Sequence, residues 1–138
     1  MMERLTEQVE RQPNRNVYFE GFVTFEKLAD YYALADAVVL PSEQEVWKLV
    51  IKEALAAGAY AIASDTSGCS ADLLANPDYG SIFKSGDEDE FIQSMRPAYC
   101  RAEEINLKRS SIPARSASEF QIGRSADALM NAVSKALT

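Results

Sequence analysis

Ala37-Val38-Val39-Leu40-Pro41-Ser42-Glu43-Gln44-Glu45-Val46-Trp47-Lys48-Leu49-Val50-Ile51-Lys52-Glu53-Ala54-Leu55-Ala56-Ala57-Gly58-Ala59-Tyr60-Ala61-Ile62-Ala63-Ser64 is the stretch on which the fold turns. Ala37–Pro41 and Ala59–Ser64 are short apolar runs rich in valine, isoleucine and alanine, which reads as two strands. Between them lie a polar loop, Pro41–Glu45, and a segment, Val46–Ala57, that is apolar on nearly every helical face. Strand, loop, helix and strand in that order make a βαβ unit, and such units imply a parallel sheet.

The same alternation continues on both sides. Asn16–Gly21 reads as an earlier strand and Gly80–Phe83 as a later, shorter one, so the predicted sheet has about four strands. Thr24 is placed to cap a crossover helix whose Phe25, Leu28 and Tyr32 fall at three- and four-residue spacing. Asp87, with Glu90 three residues on, forms a capping-box-like start. The acids Asp87 to Glu90 also suit the positive end of a helix carrying Phe91, Ile92 and Met95, which Pro97 should end or kink. Met1–Gln12, with Leu5 and Val9 one turn apart, reads as a surface helix. From about Ser118, Ile122, Ala126, Leu129, Met130, Val133 and Leu137 form one stripe of a long C-terminal helix. The expectation is an α/β, Rossmann-like, doubly wound domain spanning residues 1–138 as one unit.

The totals bound the function. A chain of 138 residues is long enough for one compact domain. With 47% hydrophobic and 25% charged residues its composition is that of a globular protein, which leaves no reason to expect disorder or repeats. A formal charge of -7 repels nucleic acid and anionic lipid heads at long range, so neither is expected as a partner. It does not exclude a diphosphate, which a helix N-terminus can hold locally. The sequence has no histidine, which removes histidine-dependent nucleophilic and metal sites. Cys69 and Cys100 have no metal-ligating spacing and are too few for a disulfide framework. No metal or cofactor is expected. No apolar run approaches the roughly 18 residues of a membrane span, so the expected setting is cytoplasmic.

Glu53 is the residue that periodicity leaves unexplained. At about 100° per residue, Lys48 and Lys52 share one polar edge of the helix, whereas Glu53 falls among Val46, Leu49, Val50 and Ala57. A buried carboxylate needs partners. It either caps a neighbouring loop or pairs with an arginine, or it receives a polar ligand. Its location beside a loop at the C-terminal end of a parallel strand, where ligands of open sheets bind, favours the ligand.

Pro41-Ser42, Glu45, the aromatic Trp47, Glu53-Ala54 and Gly58 resemble the Pro-Ser…Glu-x7-Glu-Ala…Gly signature of the group 1, glycogen-synthase-like, retaining glycosyltransferases of GT-B fold. The resemblance extends to Phe19-Glu20-Gly21-Phe22-Val23, to Asp36-Ala37-Val38-Val39-Leu40 and to Ala61-Ile62-Ala63-Ser64-Asp65. It implies the C-terminal, donor-binding half of a hexosyltransferase using a UDP- or GDP-sugar. Glu45, the catalytic candidate though not a covalent nucleophile, would meet the donor sugar, and Glu53 the ribose hydroxyls. The amides of Val46, Trp47, Lys48 and Leu49 would lie near sugar and diphosphate, with Gly21 and Val23 near the nucleobase. Carboxylates suit both diol contacts, since each can accept paired hydrogen bonds.

The sequence also departs from the pattern. Lys48 stands where the family has glycine, and Ser67-Gly68 replaces a Gly-Gly pair. Relative to the family, two strands with diphosphate-neutralising arginine and lysine loops, and an N-terminal acceptor-binding domain, are expected to be absent ahead of Asn16. The chain alone is therefore expected to transfer sugar poorly or not at all. The alternative is a non-enzymatic Rossmann-like domain serving as an oligomerising or binding module. Asn16–Gly21 is expected to close the sheet beside Ala37–Pro41, or a homodimer to cover that edge. A flavodoxin-like phosphate-binding domain is weaker, because no glycine-rich fingerprint opens a helix.

Overall fold

The computed structural model describes residues 2–11, 16–43, 49–68, 70–100, 102–108 and 110–113. Three strands, β1 (Ala37–Leu40), β2 (Tyr60–Ser64) and β3 (Gly80–Phe83), pair in parallel in the order β1-β2-β3. Ala37 lies opposite Tyr60 and Leu40 opposite Ala63; Ala61 lies opposite Gly80 and Ser64 opposite Phe83. The helices are α1 (Met2–Glu10), α2 (Phe25–Leu34), α3 (Leu49–Ala56), α4 (Ser70–Leu73), α5 (Glu88–Cys100) and α6 (Ala102–Lys108).

The central strand shows why the chain takes this architecture. Every residue of β2 is buried, and with a two-residue period its side chains feed two cores. Ala61 and Ala63 pack with Ile51 and Leu55 of α3, with Leu73 and Leu74, and with Tyr79 and Ile112. Tyr60 and Ile62 point the other way, to Phe83 and Ile105, with Phe91 and Met95 of α5 packed alongside. A sheet covered on both faces is what makes the fold doubly wound. The α/β, Rossmann-like parallel architecture is as expected.

Local chemistry sets the element ends. α3 stops because Gly58 adopts φ 80°, which glycine reaches without a Cβ penalty. The Gly58 amide then donates to the Leu55 carbonyl, and the Ala59 amide to that of Ala54, at 3.0 and 2.9 Å. That pair of bonds is the Schellman arrangement. At the start of α5 the Asp87 carboxylate accepts from the Glu90 amide at 2.9 Å, the expected cap. Gly80 answers a different need: a Cβ there would sit 2.0 Å from the Ala61 carbonyl oxygen of the neighbouring strand. Only glycine lets β3 and β2 approach at that point.

Three expectations require correction. Asn16–Gly21 forms no strand, so the sheet has three strands among the described residues and β1 has no neighbour on its outer edge there. All six residues are exposed, and an extended run with no side chain buried has nothing to hold it against a sheet. Closure of the sheet by this segment is therefore overturned. Pro97 does not end its helix, since α5 continues through it to Cys100. Thr24 occupies the N-cap position of α2, but its side chain makes no capping bond to the helix; its carbonyl receives the Lys27 and Leu28 amides. The long C-terminal helix expected from about Ser118 lies outside the described residues.

Candidate functional site

The site expected from the sequence is only partly in view. Glu45, Val46, Trp47 and Lys48 lie outside the described residues. Leu49, the first described residue of α3, is 68% exposed. The buried face of α3 is instead Ile51, Ala54 and Leu55, so the helix is not buried all round as its composition implied. Glu53 lies on the flank between that face and solvent and is half-buried rather than enclosed. Val23 is half-buried, and Gly21 is exposed with φ 65° and open space around it.

What Glu53 faces is α2. A cleft of about 270 Å³ runs between the two helices, lined by Phe25, Leu28, Ala29 and Tyr32 on α2 and by Glu53, Ala56 and Ala57 on the α3 side. The α2 residues recur at helical spacing, so one stripe of that helix walls the cleft. This stripe is not a closed core, because α2 has no buried residue. The Tyr32 hydroxyl donates to Oε2 of Glu53 at 3.1 Å. Burial pushes the Tyr32 phenol above its ordinary value, and its bond to the carboxylate pushes in the same direction, so at neutral pH it remains a donor. Neither an arginine nor a loop amide takes the carboxylate among the described residues. Glu53 thus adds a carboxylate to the lining of a mostly apolar cleft, the arrangement that fixes a small ligand's orientation.

A second polar cluster lies at the C-terminal ends of β1 and β2. Ser64, at 1% exposure, donates to the Ser42 carbonyl at 2.5 Å, and the Thr66 hydroxyl donates to the same oxygen at 2.6 Å. Ser64 is also within 3.1 Å of the Thr66 hydroxyl and 3.3 Å of the Ser67 hydroxyl. The Ser85 amide donates to Asp65 at 2.9 Å, linking the end of β2 to the turn after β3. These bonds anchor the loop that leads toward Glu45. Sequence reading placed Ser64 in a strand and Tyr32 on a crossover helix but gave neither a polar role. The signal was a hydroxyl at the last position of an otherwise apolar strand, and a tyrosine in phase with the cleft-facing stripe of α2.

A sequence model of the family described as glycosyl transferases group 1 matches residues 1–100. This chain belongs to the group 1 glycosyltransferases. The group 1 fold is also seen in sucrose-phosphate synthase from Thermosynechococcus elongatus, to which the chain is similar with a TM-score of 0.56 and 26% identity. That match covers 95% of this chain and 35% of the synthase, so the present group 1 domain spans about a third of that enzyme's length. No curated protein matches. Among the described residues of this glycosyltransferase domain, no helix is long and apolar enough to cross a membrane and no group of three or more acidic or cysteine side chains could hold a metal ion.

Proposed function

We propose that the chain is the donor-binding domain of a retaining hexosyltransferase that takes a UDP- or GDP-sugar. The observation that carries the reading is Glu53: a half-buried carboxylate that accepts from the neutral Tyr32 hydroxyl and lines the cleft between α2 and α3. A vicinal diol is the group that such a carboxylate receives best, since each oxygen can accept one hydroxyl. In this reading the ribose lies on Glu53. The diphosphate lies toward the start of the segment that continues into α3, where backbone amides favour an anion. Glu45 meets the sugar, with the amides of Val46, Trp47, Lys48 and Leu49 nearby, and Gly21 and Val23 border the base. The likeness to a synthase of a phosphorylated sugar agrees with hexosyl transfer.

Transfer by this domain alone is expected to be weak, because leaving-group neutralisation needs cations that the described residues do not bring to the cleft. Calorimetric titration of the full chain with UDP and GDP tests the reading. One nucleotide should bind, and Glu53→Ala should weaken it by about 1–3 kcal/mol by removing a charged acceptor. Binding of neither nucleotide would remove the donor role. Lys48→Gly should tighten binding if the lysine side chain enters the site.

A second reading, a non-enzymatic module that pairs with another copy of itself, is favoured by one feature. Phe22, Phe25 and Leu34 are 94%, 77% and 81% exposed on and just before α2. Large apolar side chains left in solvent are what an interaction surface would cover. Sedimentation of the full chain distinguishes the two: a tight homodimer that binds no nucleotide supports the module, and a nucleotide-binding monomer supports the donor domain.

A further inference from the structure

We infer that Tyr32 is a positioning residue for Glu53, holding its carboxylate toward the cleft in the geometry that selects a ribose over a deoxyribose. The inference rests on the reading of Glu53 as the ribose acceptor and goes beyond it by assigning the residue that makes the acceptor specific.

The two residues lie on different helices, 21 positions apart, and meet through a single hydrogen bond of 3.1 Å from the Tyr32 hydroxyl to Oε2. A glutamate has three rotatable torsions, so an unsupported side chain at this half-exposed position would be distributed over several rotamers. Ordering it on ligand binding costs free energy, and a partner that orders it beforehand removes that cost. The phenol is suited to this in two respects. It is a neutral donor of one proton, so it occupies one of about four acceptor positions on the carboxylate and leaves the negative charge for a ligand. An arginine would take both oxygens at once. The ring also stands on the same stripe of α2 as Phe25, Leu28 and Ala29, facing Glu53, Ala56 and Ala57 across the cleft. That stripe fixes where the hydroxyl sits.

A tyrosine that merely joined α2 to α3 would affect stability and nothing else. The separating measurement is the affinity ratio of ribonucleotide to deoxyribonucleotide, determined by calorimetry on the full chain with UDP, GDP and their 2′-deoxy counterparts. Wild type should prefer the ribonucleotide. Tyr32→Phe, which keeps the ring and removes the donor, should weaken the ribonucleotide about fivefold and leave the deoxyribonucleotide little changed, narrowing the ratio. The double variant Tyr32→Phe with Glu53→Ala should bind no more weakly than Glu53→Ala alone, because the tyrosine acts through the carboxylate. An unchanged ratio in Tyr32→Phe beside a collapsed ratio in Glu53→Ala would overturn the positioning role and leave the ribose reading standing. A ratio unmoved by Glu53→Ala would overturn both.

Discussion

The hydroxyl of Ser64 and the carbonyl of Ser42 lie 2.5 Å apart, joining the end of β2 to the loop that leaves β1. Thr66 donates to the same carbonyl, so that oxygen holds two hydroxyls from the neighbouring strand and its turn. Ser64→Ala alone leaves Thr66 in place and should cost about 1 kcal/mol of stability in urea unfolding. Combined with Thr66→Val it strips the carbonyl of both donors, and the cost should rise to about 2–3 kcal/mol. Additive single effects with no excess in the double variant would show that the two hydroxyls do not share this acceptor.

Gly80→Ala should be among the most damaging single substitutions. The added methyl would meet the Ala61 carbonyl oxygen at 2.0 Å and the Leu74 side chain at 2.9 Å. Leu74 can move, but the backbone oxygen belongs to the central strand and cannot move without breaking the ladder. A loss at or above about 3 kcal/mol is expected, the upper end for overpacking. Thermal unfolding within a degree or two of wild type would contradict the close approach.

Leu55 and Phe22 are both large and apolar, and their truncation should differ sharply. Leu55 is 1% exposed in the core under β2, so Leu55→Ala should cost about 2–5 kcal/mol in urea unfolding. Phe22 lies almost entirely in solvent, and Phe22→Ala should change stability by no more than about 0.5 kcal/mol while improving solubility at high concentration.

Stability should fall in alkali partly through Tyr32. Its folded value is raised above the ordinary 10.0, first by burial and then by Glu53, so the fold favours the neutral phenol. That contribution is complete below pH 10.0 and is lost as pH rises through the higher folded value. Tyr32→Phe should therefore show a flatter decline of the urea midpoint above pH 10.0 than wild type. Tyr31, raised by its hydrogen bond to Glu20, is exposed, and solvent screening leaves it a smaller share.

Much of the fold was legible from short-range pattern. Ala37–Leu40, Tyr60–Ser64 and Gly80–Phe83 are strands within a residue of where apolar runs placed them. Asp87 caps α5 because an aspartate followed by a helical run satisfies an amide three residues away, a relationship contained within four positions. Pro97, expected to end or kink its helix, does not end it, because α5 continues to Cys100. For the site, the double-glutamate segment was visible as a carboxylate out of phase with its helix, although its first half lies outside the described residues.

The sequence by itself determined the parallel α/β architecture and marked Glu53 as anomalous, because both follow from periodicities of two and about 3.6 residues that a local window contains. Tertiary structure alone decided which partners were present. Asn16–Gly21 has the composition of a strand yet joins no sheet among the described residues, since a strand's hydrogen bonds belong to its neighbours. Glu53 receives Tyr32 from 21 residues away, and Gly80 is required by the carbonyl of Ala61 on another strand. Each of these depends on the distance between chain segments in space, which no local pattern of residue types specifies.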